Sequence, residues 1–182
     1  SCPLPNRVCK VFMRSMIVAM NTRWKPSVTV AAIIEQGGRY MLIEEHTPEG
    51  LRLNNPAGHL EAGEDPVSAC AREAIEETAH PFLPEHLVGV YLSRFQRPAR
   101  GERPAEDITY LRFAFGGQLG AHDPQRPLDD GIVRTLWMSL EEVRASVERH
   151  RSPLVLQCIE DHARGQRFPL TVLYTHPAVT SG

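Results

Sequence analysis

Cysteine is scarce. Cys2, Cys9, Cys70 and Cys158 are the four present in 182 residues, with no CxxC pair and no spacing to histidine that would build a zinc site. So few unpatterned thiols read as reduced cysteines of a cytoplasmic protein, not as a disulfide framework. Long apolar runs are missing too: nothing approaches the ~20 residues that cross a bilayer. The stretch Met16 to Met20 is too short, and lacks the clean cleavage site, for a secretory signal. Nor is there an excess of one charge. Lys and Arg total 20 against 22 for Asp and Glu, a formal net charge of -2, which excludes a general binder of nucleic-acid duplexes or anionic membranes. A small anionic substrate is untouched by that exclusion. Internal repeats and low-complexity tracts are absent, and the length suits one core better than two.

Residues 1 to about 24 stand apart from the rest of the chain. Met13, Met16 and Met20 could each be a start and no period is sustained, so the stretch is either an arm packed on the core or on a neighbouring subunit, or the remnant of a misassigned start. Residues 25–182 read as a single domain. Val28 to Ile34 and Tyr40 to Glu44 are apolar runs joined through Gln36-Gly37-Gly38, the pattern of a hairpin. Leu51 to Gly63 is rich in Pro and Gly and reads as a loop. It leads to a helix with Asp65 as N-cap and Pro66 at the first helical position. Two more strands are expected at His86 to Gln96 and Ile108 to Leu119, separated by an arginine-bearing loop. Ile132 to Met138 predicts another, after which Ser139 and Glu142 form a capping box with Met138 and Val143 at the staple positions. A last helix is framed by Ser152-Pro153 and Gly165. Together these predict an α/β fold, a mixed sheet covered by three helices.

The helix after Asp65 carries the chemistry. Glu73, Glu76 and Glu77 fall at i, i+3 and i+4 and crowd one face, while Val67, Cys70, Ala71, Ala74 and Thr78 form a small, apolar stripe on another. Three clustered carboxylates repel, and something cationic has to offset them. Arg72 can hold one, with Glu64 or a member of the cluster as its partner. A hard divalent cation such as Mg2+ is the other answer, because it takes oxygen ligands and binds through carboxylates and substrate phosphates. A solvated charged face is the bland alternative.

The context decides against it. Gly58, Glu64, Arg72, Glu73, Glu76 and Glu77, with Ala74 at the apolar position, match the spacing G-x5-E-x7-R-E-U-x-E-E-x-G-U. Six fixed positions at roughly 6% frequency each coincide by chance in about one chain of this length in 10^5. The sequence resembles the Nudix hydrolases, and the resemblance implies an α/β/α sandwich with a mixed β-sheet and Mg2+-dependent hydrolysis of phosphoanhydrides, with Mn2+ as an alternative to Mg2+. It implies metal ligation by Glu73, Glu76 and Glu77, one of which orients or deprotonates the attacking water, and by the Gly58 carbonyl. Arg72 would position a carboxylate, and Glu64 would pair with Arg72 and hold the loop to the helix. Two positions depart from the pattern. The closing glycine is Ala79 and the apolar residue after it is His80, so Ala79 is strained there or the helix ends differently, stopped by Pro81.

Pro26 to Glu35, Asn55 to Glu61, Leu111 to Phe115, Trp137 to Ser139, Arg151 to Val155 and Gly165 to Leu170 look like the bacterial NudJ group of phosphatases. That likeness implies phosphate release from nucleoside di- and triphosphates or from diphosphates of thiamine precursors. A pyrophosphohydrolase that cleaves the internal anhydride, and a catalytically silent Nudix-fold binding module, are the alternatives. Outside the motif, Asp129 or Asp130 is expected to add a carboxylate to the metal, against a simple turn at Leu128 to Gly131. Arg112 contacts phosphate or forms a structural ion pair. Tyr110 or Phe95 stacks on a ring; Arg97, Arg100 and Arg103 gather as a lid or are solvated. His46 and His59 receive no chemical role. The partner is a small phosphoanhydride, and the assembly a monomer or homodimer.

Overall fold

Apolar runs without alternation mark strands buried on both faces. In the computed structural model, which describes residues 23–181, Ser27–Ile33 (β1) and Arg39–Thr47 (β3) are such strands, fully buried from Val30 and from Tyr40 to Glu44 respectively. They do not form one hairpin. The chain changes sheets at Ile34, and the turn is closed instead by the two-residue strand Glu35–Gln36 (β2) against the start of β3. Gly37 and Gly38 there have φ of 61° and 78°, which a two-residue turn of this hand requires and only glycine adopts freely.

Leu51 to Gly63 is not a loop. It contains Gly50–Asn54 (β4), antiparallel to β3, and Ala57–His59 (β5), antiparallel to β1. Between them the chain crosses from one sheet to the other through Asn55 and Pro56, both buried, and the Ala32 N–H donates to the Pro56 carbonyl at 2.8 Å. The long ribbon of Phe82–Arg97 (β6) and Glu106–Leu119 (β7) extends the first sheet, which ends on Phe168–Pro169 (β9) in the order β5-β1-β7-β6-β9. β1 and β7 are parallel and the other pairs antiparallel. The second sheet joins β2, β3 and β4 with Ile132–Ser139 (β8) on β3.

Helices cover both faces of the first sheet. On one lies Pro66–Thr78 (α1), capped by the Asp65 carboxylate, which accepts from the Val67 and Ser68 N–H groups. Its buried stripe of Ala69, Cys70 and Ala74 packs with Val30, Ala32, Ile34 and Phe115. On the other lie Leu140–Ala145 (α2), which has the expected capping box at Ser139 and Glu142, and Leu154–Ala163 (α3). Their Val143, Val155, Cys158 and Ile159 pack with Ala31, Ile33, Leu53 and Ala114, and Met138 joins Val143 in that cluster. A one-turn helix at Pro177–Thr180 (α4) was not expected. The result is an α/β/α sandwich with a mixed sheet. Among the described residues no helix is long and apolar enough to cross a membrane. Cys70 and Cys158 are free and buried, while Cys2, Cys9 and the expected extension, apart from Arg23 and Trp24, lie outside the described residues.

Candidate active site

α1 ends on Ala79 in the left-handed region at φ 56°, ψ 23°, the sole non-glycine residue at positive φ among those described. The strained alternative is therefore the one realised, at about 1–2 kcal/mol. Its N–H still closes on the Ile75 carbonyl, and its own carbonyl accepts from Asp123. The helix thus keeps its length through Glu77 without the glycine.

Glu73 and Glu77 are 9% and 8% exposed, and Glu76 is half-buried. The Arg72 guanidinium answers them. Its Nη1 donates to Glu73 at 2.8 Å and Glu76 at 3.0 Å, while Nε and Nη2 grip both oxygens of Glu64 at 3.1 and 2.8 Å, and Nη2 also donates to the His59 carbonyl at 3.0 Å. Glu64 also accepts the Glu61 N–H at 2.8 Å, so this pair ties the loop before the helix to the helix face. The grip of Arg72, ahead of the opposing cost of burial, holds the Glu64 carboxyl below its ordinary range. Glu73 goes the other way: burial raises it despite Arg72.

Glu77 has no cationic partner among the described residues. Its Oε2 accepts the Ala57 N–H of β5 at 2.7 Å, and burial, reinforced by the charges of Glu73, Glu45 and Asp129, pushes it up to about 8. Gly58, the next residue of β5, faces Glu73 so closely that a Cβ there would lie 2.0 Å from the carboxyl carbon. Only glycine fits. Asp129 donates its N–H to the Glu76 carbonyl at 3.0 Å, and its charge is among those raising Glu73 and Glu77. Glu76, Arg126, Asp129 and Asp130 line an open groove of about 670 Å³. Among the described residues no three metal-binding side chains converge into a ready-made site; Arg72 draws Glu73 and Glu76 to itself. The donor set is nevertheless all oxygen, crowded and short of one cation, and it fits a hard divalent ion.

The NUDIX domain family profile matches residues 23–158, which takes in every one of these groups. The chain belongs to the Nudix hydrolase family. It is 37% identical over 150 residues to the phosphatase NudJ of Escherichia coli K12, covering 82% of this chain and 92% of that one. A NUDIX hydrolase of Nitrosomonas europaea with a solved structure is 51% identical, with a TM-score of 0.73 over 84% of this chain and 98% of the other. The MutT protein of Methanosarcina mazei shares the fold at 21% identity and a TM-score of 0.58, over 77% of this chain and 95% of its own. The protein is thus a hydrolase of phosphoanhydrides, homologous to NudJ phosphatases.

Within this Nudix site, Gly58, Glu64, Arg72, Glu73, Glu76, Glu77 and Asp129 come together. Tyr110 neighbours His59, with ring centroids 6.5 Å apart. Arg112 stands two strands from His59, in register with it through Thr29 and buried on the face that α3 covers; among the described residues no carboxylate pairs with it, so of the two expected roles the structural ion pair is not seen there. Nor is Arg97 part of a lid. It is held by Glu49 of the β3–β4 turn and Glu106 of β7, both at 3.0 Å, while Arg100 and Arg103 close a tight backbone turn. Sequence reasoning missed Glu45, which acts on Glu77 from β3 and accepts from Asn54 and Arg151. Its one signal was a pair of acids, Glu44-Glu45, ending an otherwise apolar strand.

Proposed function

We propose that this Nudix hydrolase is a Mg2+-dependent phosphatase that cleaves the phosphoanhydride of nucleoside di- or triphosphates, or of thiamine-precursor diphosphates, and releases phosphate. The observation that carries the reading is the crowding of Glu73, Glu76 and Glu77 on one helix face, where the Arg72 guanidinium reaches Glu73 and Glu76 and leaves Glu77 to the Ala57 N–H alone. Glu73, Glu76 and Glu77, with the Gly58 carbonyl and Asp129, would hold Mg2+ or Mn2+. Bound there, the ion supplies positive charge to phosphate oxygens and acidifies a coordinated water.

The chain's own groups do the rest. Arg72 and Glu64 are positioning residues that hold the loop and set the carboxylates in register. One of Glu73, Glu76 and Glu77 orients the attacking water or takes its proton, and burial raises the proton affinity of Glu73 and Glu77. Tyr110 offers a ring face beside the site. We read residues 25–182 as one domain, acting on a small molecule in the cytoplasm. A phosphate-release screen across nucleotides and thiamine-pathway diphosphates, with and without Mg2+, tests this. Phosphate from a nucleoside diphosphate only when Mg2+ is added is the expected result. Pyrophosphate from triphosphates would replace it with internal cleavage, and silence on every substrate with Mg2+ and Mn2+ would leave a binding module.

A further inference from the structure

Arg112 is 8% exposed, and its Nε and Nη1 have no hydrogen-bond partner among the described residues. A guanidinium never sheds its charge, so burying one without a counter-charge is costly. The neighbours supply none. The Cys158 thiol lies against it, but burial pushes that thiol up to about 12, which keeps it neutral. Two other charges that act on Arg112, Glu45 and Arg151, pair with each other at 2.8 Å, and the buried Asp161 nearby is engaged by Tyr91 and Arg164. The group of Arg112, Glu45 and Arg151 is left with one positive charge to spare.

Its surroundings are polar and only partly satisfied: the Tyr91 hydroxyl donates to Asp161 at 3.0 Å, but other groups lack partners. Across the first sheet His59, Thr29, Arg112 and Tyr91 stand side by side on β5, β1, β7 and β6. The Thr29 hydroxyl is buried and unpaired, as are the Asn54 carbonyl oxygen beside Glu45 and the hydroxyl of Ser152 next to Arg151. Native proteins seldom leave several such groups together without a ligand or ordered water. The cluster also adjoins the carboxylates. Glu45 acts on both Glu77 and Arg112, and Arg112 is two strands, about 10 Å of backbone spacing, from His59, the residue after Gly58.

We propose that Arg112 anchors an anion subsite, with the Thr29 hydroxyl, for the phosphate group of the substrate that is not held at the carboxylate face. The inference rests on the phosphatase reading and adds to it a specificity: substrates with a second phosphate group are gripped at both ends. The guanidinium suits the task because it presents planar donors to phosphate oxygens.

The same chemistry would bind inorganic phosphate, and this separates the subsite from the metal. In calorimetric titration of the full chain in EDTA, inorganic phosphate should bind at one saturable site. Arg112→Gln should weaken it at least tenfold, whereas Glu77→Gln should leave it no weaker. Steady-state assays form the second arm: Arg112→Lys should raise KM for a nucleoside diphosphate about tenfold while kcat holds, because the group it grips does not react. A third reading guards against misfolding. With no phosphate present, Arg112→Met should melt no lower than the parent protein, since it removes an uncompensated charge. Non-saturable binding to the parent, equal binding to Arg112→Gln, an unchanged KM in Arg112→Lys, or an Arg112→Met protein that melts several degrees lower would each overturn the subsite. A fully active enzyme with any of those results would leave the phosphatase reading standing.

Discussion

Replacing Glu77 with Gln separates the electrostatic role of this residue from its shape. The Gln carbonyl oxygen can still accept the Ala57 N–H, which Glu77 holds at 2.7 Å, but the charge is gone. In the metal-free protein the carboxyl titrates near 8 instead of 4.5. Between those values the folded state binds more protons than the unfolded one, so stability falls as pH rises from 4.5 toward 8. At about 1.4 kcal/mol per pH unit the full cost is about 5 kcal/mol above pH 8 and close to nothing near pH 5. The buried Gln NH2 brings an opposing penalty of about 1–3 kcal/mol, independent of pH. The variant should therefore be more stable than the parent by about 2–4 kcal/mol above pH 8 and less stable near pH 5. At roughly 2–4 °C per kcal/mol for a domain of this size, thermal melts in EDTA should show Tm raised by about 4–16 °C at the high pH and lowered at the low one. An identical Tm difference at both pH values would refute the buried, repelled carboxylate. Near-wild-type phosphate release by the same variant in Mg2+ would refute its assignment as a ligand.

Three other outcomes are set by the geometry. Gly58→Ala would set a Cβ 2.0 Å from the Glu73 carboxyl; because a side-chain tip and not backbone stands in the way, the fold should survive with about 1 kcal/mol or less lost, while turnover falls about 100-fold as Glu73 is displaced. Asp129→Asn should reduce phosphate release and Asp130→Asn should not, since Asp129 is the one whose charge reaches Glu73 and Glu77; equal rates in the two variants would return both residues to the turn. His162, buried first of all and next to Arg167 and His86, is held down to about 4 and hydrogen-bonded to the Tyr40 hydroxyl at 3.2 Å. Its folded value lies below the unfolded 6.5, so stability should be lost as pH falls from 6.5 to 4, by about 3 kcal/mol in urea melts, and His162→Asn should flatten that slope.

The carboxylate face and its arginine were readable because a helix converts sequence spacing into space: Glu73, Glu76 and Glu77 can only share a side. Caps at Asp65 and Ser139 were readable for the same local reason. What escaped depends on pairing between distant segments. β4 and β5 are five and three residues long, built around Asn and Gly, and no periodicity shows in so few residues. The sheet change at Ile34 was hidden because β1 and β3 are buried on both faces, and an unbroken apolar run does not tell which sheet it joins. Arg112 could be placed on the face opposite Phe113 and Phe115. Its lack of a counter-charge comes from β3, α3 and the segment before α3, which the sheets and helices assemble from residues up to 67 positions away.

The Ala57 N–H points away from the β-ladder and is held by a side chain alone, Glu77 Oε2. An amide bonded to a carboxylate resonates further downfield than one bonded to the acid form, and its hydrogen exchange follows the opening of that single bond, not the breathing of the sheet. One backbone resonance therefore reports the protonation of the most deeply buried acid of the motif, with no label attached and no substrate required.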